Sequence, residues 1–283
     1  LRIYQIRKPS RCIPAHRNGS LREDGTDYNW RPDDNCKIKI DNWSTKTMGI
    51  KKHIPNSITC CNLISGCIAT TFAFIGDAKL ALCWIVIGAV FDFFDGMSAR
   101  LLNVSSPIGK ELDSLADDVT FGVAPATILF SELNVLEYPG PLLGIKDFIP
   151  YVAFLMAAFS ALRLAKFNLD ERQTTSFIGL PTPANALFWG SLIVSNPSWI
   201  EGTSYSFAIL LAMVAISCYL LVSELPMFAL KFKHWGWKGN EVKYCFAALS
   251  LICLVVFGIF EAWWIIISLY LLGSILLWWR ARA

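Results

Sequence analysis

Histidine is scarce in this chain of 283 residues: there are three, of which His53 and His234 stand isolated at the edges of apolar stretches. Isolated imidazoles do not build a histidine metal site or a base that activates a nucleophile. Cysteine is more plentiful, nine in all, but no metal-type spacing occurs. Seven of them, Cys60, Cys61, Cys67, Cys83, Cys218, Cys245 and Cys253, fall in apolar segments and are expected as small packing residues. No disulfide framework follows. Net charge is small as well, +3 overall. Residues 1–47 hold 10 Lys/Arg against 6 Asp/Glu, and the remainder holds 15 against 16. A balance that weak carries no nucleic-acid partner.

Apolar residues, by contrast, are in excess. They make up 54% of the chain, with a mean hydropathy of +0.47, where a soluble domain holds roughly 45–50% by a similar count. The excess begins after residue 54, which predicts an all-α integral membrane protein. Residues 1–47 read differently: polar, rich in Arg, Asp and Asn, and without a clear period. Met48 then opens MGIKKHIPNSITCCN, a short basic lead into an apolar span. The expectation is a polar leader over 1–47, disordered or not native, with Met48 as the natural start and a transmembrane domain over 48–283.

Eight apolar spans follow, at roughly 55–75, 80–102, 112–133, 147–167, 182–198, 205–224, 242–260 and 262–280. Each is near the ~20 residues that a bilayer needs. Basic residues orient them. With Lys51 and Lys52 inside, the cytoplasmic side also receives Arg100, Lys110, Arg163, Lys166, Arg172, Lys231, Lys233, Lys238, Lys243, Arg280 and Arg282, against Lys79 and Lys146 outside. This 13-to-2 split predicts both termini on the cytoplasmic face. The segment 231–243 reads as an interfacial loop, and its tryptophans, with Trp263, Trp264, Trp278 and Trp279, as headgroup anchors.

One stretch stands against this background. Asp92 and Asp95 are spaced i, i+3, and Asp113 and Asp117 i, i+4, so on helices each pair shares a face. Carboxylates on or beside apolar spans are costly and mark a function. Hard divalent cations take oxygen ligands and bridge phosphates. Two such ions about 3.5–4 Å apart clamp a phosphoryl group for in-line displacement. Gly96 lets a phosphate approach the backbone, Ala99 keeps the same face small, and Arg100 can pair with a phosphate. Gly109 frees the connecting loop, and a last carboxylate can take a proton from an attacking hydroxyl. The chemistry is metal-assisted transfer of a phosphoryl-linked group at a membrane surface.

The pattern Asp-x2-Asp-Gly-x2-Ala-Arg-x8-Gly-x3-Asp-x3-Asp, filled by Asp92, Asp95, Gly96, Ala99, Arg100, Gly109, Asp113 and Asp117, resembles the signature of the CDP-alcohol phosphotransferase family. The runs LDSLADDVTFGVAPA (112–126), ALRLAKFN (161–168), FIGLPTPA (177–184) and LVSELPMFALKFK (221–233) resemble its bacterial-type phosphatidylserine synthase branch, as does KKHIPNSITCCNLISG (51–66). The resemblance covers about residues 48 to 280. It implies a six-helix core plus two C-terminal helices, a homodimer and, by the branch, a bacterial inner membrane. The implied reaction takes CDP-diacylglycerol and L-serine to phosphatidylserine and CMP.

Carried across by the resemblance, Asp92, Asp95 and Asp113 bind one divalent ion, and Asp92, Asp113 and Asp117 a second, Mg²⁺ or Mn²⁺. Gly96, Ala99 and Arg100 line the CDP site, and Asp117 is the general base on the serine hydroxyl. Asn56 and Thr59 contact cytidine or phosphate, or else cap a helix. Arg163 and Lys166 face the serine carboxylate or the CDP-lipid phosphates, or else serve only as positive-inside anchors. The turn Gly179-Leu180-Pro181-Thr182-Pro183 closes the site or simply joins two helices. Asp118, beside Asp117, points about 100° away on a helix and is given no direct role. The alternatives are a sibling enzyme using glycerol 3-phosphate or inositol phosphate and, more remotely, a transporter moving ions through intramembrane carboxylates. Carboxylates clustered at one face, with no inverted repeat, speak against a transporter.

Overall fold

A computed structural model describes residues 53–104, 106–169, 177–197, 200, 205–227, 236 and 240–282. The polar leader expected over 1–47 lies outside the described residues, as do Lys51, Lys52, Arg172, His234 and most of the 231–243 loop.

The described residues are built mainly of helices. α1 spans His53–Phe74 and α2 Ala78–Leu101. α3 (Pro107–Asp117) passes through a π-helical turn, Asp118–Val123, into α4 (Ala124–Val135). A 3₁₀ segment, Ile149–Phe154, leads into α5 (Leu155–Leu169). α6 (Thr182–Ser195), α7 (Ser206–Val222), α8 (Glu241–Phe257) and α9 (Trp263–Arg282) complete the order. Each expected span has its helical segment. Among the described residues, four segments are long and apolar enough to cross a membrane: α1, α2, Ile149–Leu169 and Trp263–Arg280. α7 is apolar but has 17 residues. The only strands described are the two-residue β1 (Phe177–Ile178) and β2 (Pro226–Met227), which pair antiparallel.

Local chemistry sets these boundaries. Asp77 accepts the Leu80 amide at the start of α2. Ser106 accepts the Gly109 amide at 3.0 Å, with Pro107 in the first turn of α3. The hydroxyls of Ser57, Thr59, Ser65, Thr70 and Thr71 reach carbonyls four residues back, which lets α1 carry polar residues through an apolar setting. The wide turn ends at Val123, and Pro125, in the first turn of α4, has no N–H to offer a carbonyl within that turn.

α1, α2 and the wide turn pack closely around Thr120, which is fully buried and donates to the Asn62 carbonyl at 3.1 Å. Gly88 makes the approach possible: a methyl there would stand 2.5 Å from Thr120 Cγ2. The core continues through Leu82, Ile85, Phe121, Leu129, Met156 and Trp189, whose indole N–H donates to Ser217 Oγ at 3.0 Å. Large apolar side chains on the outer faces of α8 and α9, such as Leu251, Val255, Leu272 and Leu276, are exposed. Hydrocarbon is the solvent that suits such faces.

Candidate active site

α2 and α3 both pack on α1, which sets the carboxylates of one against those of the other. Carboxylate oxygens of Asp92, Asp95 and Asp113 all lie within 4.8 Å of one another. Helical spacing explains the meeting: Asp92 and Asp95 lie one turn apart on α2, and Asp113 faces them from α3. Asp117, the fourth motif aspartate, lies one turn beyond Asp113 on α3 and is bonded to Asn62 of α1. Three oxygen donors converging this tightly repel one another, and an all-oxygen set of that kind fits a hard divalent cation.

α1 holds the cluster in place. The Thr59 hydroxyl donates to Asp95 Oδ2 at 2.5 Å, and the Asn62 amide donates to Asp117 Oδ1 at 3.1 Å. Thr59 and Asn62 are one turn apart and both buried. Helix capping was the alternative for Thr59, but its side chain turns to the aspartates.

Beside the carboxylates lies a cavity of about 320 Å³, within the range of small-molecule sites. Asn56, Thr59, Gly96, Ala99 and Gly109 line it, together with Asp95 and Asp113. A methyl on Gly96 would meet nothing within 4 Å, so the glycine borders open space. A methyl on Gly109 would stand 3.0 Å from Asn56 Oδ1, so glycine lets the start of α3 come close to α1. Arg100 is exposed and is not among the residues that line the cavity.

Arg163 and Lys166 part company. Arg163 is buried, whereas Lys166 is exposed. The Gly179–Pro183 turn is tied elsewhere: the Gly179 amide donates to Leu225 O and that of Leu180 to Leu220 O, each at 2.9 Å. Leu180 packs with Met227 and Ile267, so this turn joins elements of the bundle.

Several polar residues escaped the sequence reading. Lys110 lines the cavity and also donates to the Asn168 carbonyl at 3.0 Å. Its place directly after Gly109, inside the motif, was the available signal. Asn62 and Asn185 are fully buried, and neither amide atom of Asn185 has a partner. A polar amide inside an apolar run was the only mark of either.

Comparison with known proteins agrees with this geometry. Residues 52–236 match the family model described as CDP-alcohol phosphatidyltransferase. A Bacillus subtilis protein named CDP-diacylglycerol–serine O-phosphatidyltransferase is 37% identical over 183 residues, covering 65% of this chain and 91% of that protein. A Helicobacter pylori protein of the same name is 30% identical over 229 residues, covering 79% of this chain and 90% of its own length. One from Mycobacterium bovis is 32% identical over 182 residues, covering 62% of this chain and 60% of the mycobacterial protein. With the family model matched over more than half of this chain and three motif aspartates converging in space, the chain belongs to the CDP-alcohol phosphatidyltransferase family.

Proposed function

We propose that this chain is an integral-membrane enzyme that transfers the phosphatidyl group of CDP-diacylglycerol to L-serine and releases CMP. The observation that carries this reading is the meeting of Asp92, Asp95 and Asp113, the last two of which line a cavity. It occurs in a chain whose relatives bear the name of that activity.

The roles follow from position. Asn56, Thr59, Gly96, Ala99 and Gly109 form the wall against which the cytidine diphosphate group lies. Lys110 on that wall and Arg100 beside it offer cationic partners to the phosphates. Asp92, Asp95, Asp113 and Asp117 would hold two divalent ions, Mg²⁺ or Mn²⁺, which would supply positive charge against the pyrophosphate. Asp117, oriented by Asn62, takes the proton of the serine hydroxyl. The serine oxygen then bonds to the phosphorus that carries the diacylglycerol oxygen, and the bond from that phosphorus to the CMP oxygen breaks.

The same reading places eight membrane spans with both termini and the site on the cytoplasmic face, in a bacterial inner membrane. It also takes the enzyme as a homodimer, with 48–283 as the transmembrane domain behind a separate leader. The Lys/Arg asymmetry supports the orientation, and the family resemblance supports the dimer.

The test is acceptor-dependent CMP release. Purified protein receives CDP-diacylglycerol and Mg²⁺ or Mn²⁺, then L-serine, glycerol 3-phosphate or inositol phosphate separately. Release with serine that chelation abolishes is the expected result. Release with another acceptor alone overturns the serine assignment.

A further inference from the structure

A ring of hydrogen bonds joins α3 to the end of α5. The Lys110 ammonium donates to the Asn168 carbonyl at 3.0 Å. The Asn168 amide donates to Ser114 Oγ at 2.7 Å. The Ser114 hydroxyl donates in turn to the Lys110 carbonyl at 3.3 Å, which closes the ring. Lys110 and Ser114 lie one turn apart on α3, so both can meet the same neighbour. Asn168 is the last residue but one of α5. The last carbonyls of a helix have no partner within it, and a cation there also meets the negative end of the helix. Lys110 answers both needs.

Of the three residues, Lys110 alone lines the cavity that Asp95 and Asp113 also line. A residue of the cavity wall thus has its charged end fixed from outside the cavity. Lysine does not ordinarily provide a fixed charge. Its stem is long and flexible, and holding the ammonium in one place costs side-chain entropy. The bond to α5 meets that cost in the folded chain, before any ligand arrives. An ammonium has more than one donor, so the Asn168 carbonyl does not exhaust it. Where that carbonyl stands depends on the last turn of α5, and helix ends fray. The side chain of the same residue holds this turn to Ser114.

Resting on the reading above, in which Lys110 offers a cationic partner to the phosphates, we propose that Ser114 and Asn168 are positioning residues for Lys110. They hold the last turn of α5 against α3, and the Asn168 carbonyl then keeps the ammonium at the edge of the cavity, ready for the pyrophosphate of CDP-diacylglycerol. Neither residue lines the cavity, so each acts on the substrate through Lys110. A charge set in place beforehand binds an anion more tightly than one that must be ordered on binding.

The test is binding of CDP-diacylglycerol to the full chain in detergent, with Mn²⁺ and no acceptor, read by titration calorimetry. Lys110→Gln should raise Kd by about 10- to 100-fold, the worth of one charge-assisted hydrogen bond. Asn168→Leu and Ser114→Ala keep Lys110 but release the turn that fixes it, and each should raise Kd by about three- to tenfold. Ser114→Thr retains the hydroxyl and should stay within about twofold of wild type. The deciding arm joins Asn168→Leu to Lys110→Gln. This double variant should bind within about twofold of Lys110→Gln alone, because positioning has no effect once the ammonium is gone. A merely structural role for Asn168 repeats its loss in full in that background, and that result overturns the proposal. So does a Kd within about twofold of wild type in both Asn168→Leu and Ser114→Ala. If Asn168→Leu does not fold, judged by thermal unfolding, Ser114→Ala alone and joined to Lys110→Gln decides in its place. Wild-type affinity in Lys110→Gln overturns the phosphate contact together with its positioning. Wild type that binds CDP-diacylglycerol yet turns over only with an acceptor other than serine overturns the serine assignment and not this proposal.

Discussion

The amide of Asn62 reaches Asp117 Oδ1 across 3.1 Å and so ties the middle of α1 to the end of α3. A carboxylate that must receive a proton needs one orientation, and this bond supplies it. Replacing Asn62 by Leu removes the donor at similar size. Turnover should fall by about tenfold, the worth of one hydrogen bond to a charged group, with the CDP-diacylglycerol KM little changed. Steady-state CMP release measures both.

Asp117 itself is the sharper case. Asp117→Asn keeps the shape and removes the base, so turnover should fall by about 10²- to 10⁴-fold. Thermal stability in detergent should hold, because a neutral amide at this crowded acidic site relieves repulsion from Asp92 and Asp113. A variant that still turns over near the wild-type rate would remove Asp117 from the chemistry.

Thr59 supports the other end of the cluster through Asp95. Thr59→Val retains the bulk and loses the hydroxyl. Support of a ligand from behind is worth about 10- to 100-fold in metal affinity. The Mn²⁺ concentration giving half-maximal activity should rise accordingly, and titration calorimetry with Mn²⁺ reads the same change without turnover.

Packing gives an independent prediction. Gly88→Ala sets a methyl 2.5 Å from Thr120 Cγ2 in a fully buried contact. Overpacking of this kind costs about 1–3 kcal/mol, visible as a lowered midpoint of thermal unfolding. Adding Thr120→Ser removes Cγ2 and should recover most of the loss. Equal destabilisation in the single and double variants would show that the clash is relieved elsewhere.

The active site was legible in the sequence because its chemistry is carried by residue types at helical spacing. Asp92 and Asp95 fall one turn apart on α2, Asp113 comes from α3, and the structure brings their oxygens together. The eight apolar spans reappear as helical segments because hydropathy controls both. Burial was harder to read. Arg163 and Lys166 are both cationic and three residues apart, yet one is inside and the other outside, a difference set by how α5 packs on the wide turn. Arg100 follows the motif, but its long side chain leaves α2 on the exposed side, away from the cavity lining.

The π-helical turn over Asp118–Val123 also acts as a phase shifter. A wide turn holds an extra residue relative to an α-helix, and such turns recur at functional sites. Upstream of it the helix presents acids to α1 and α2; downstream it presents Ile128, Leu129 and Leu133 to the core. Deleting one residue from 118–123 would rotate one row against the other by about 100°. Either the acidic row or the oily row would then be misaligned. The two halves of this segment are thus geared together by a single loosened coil, and chain length there is constrained as tightly as residue identity.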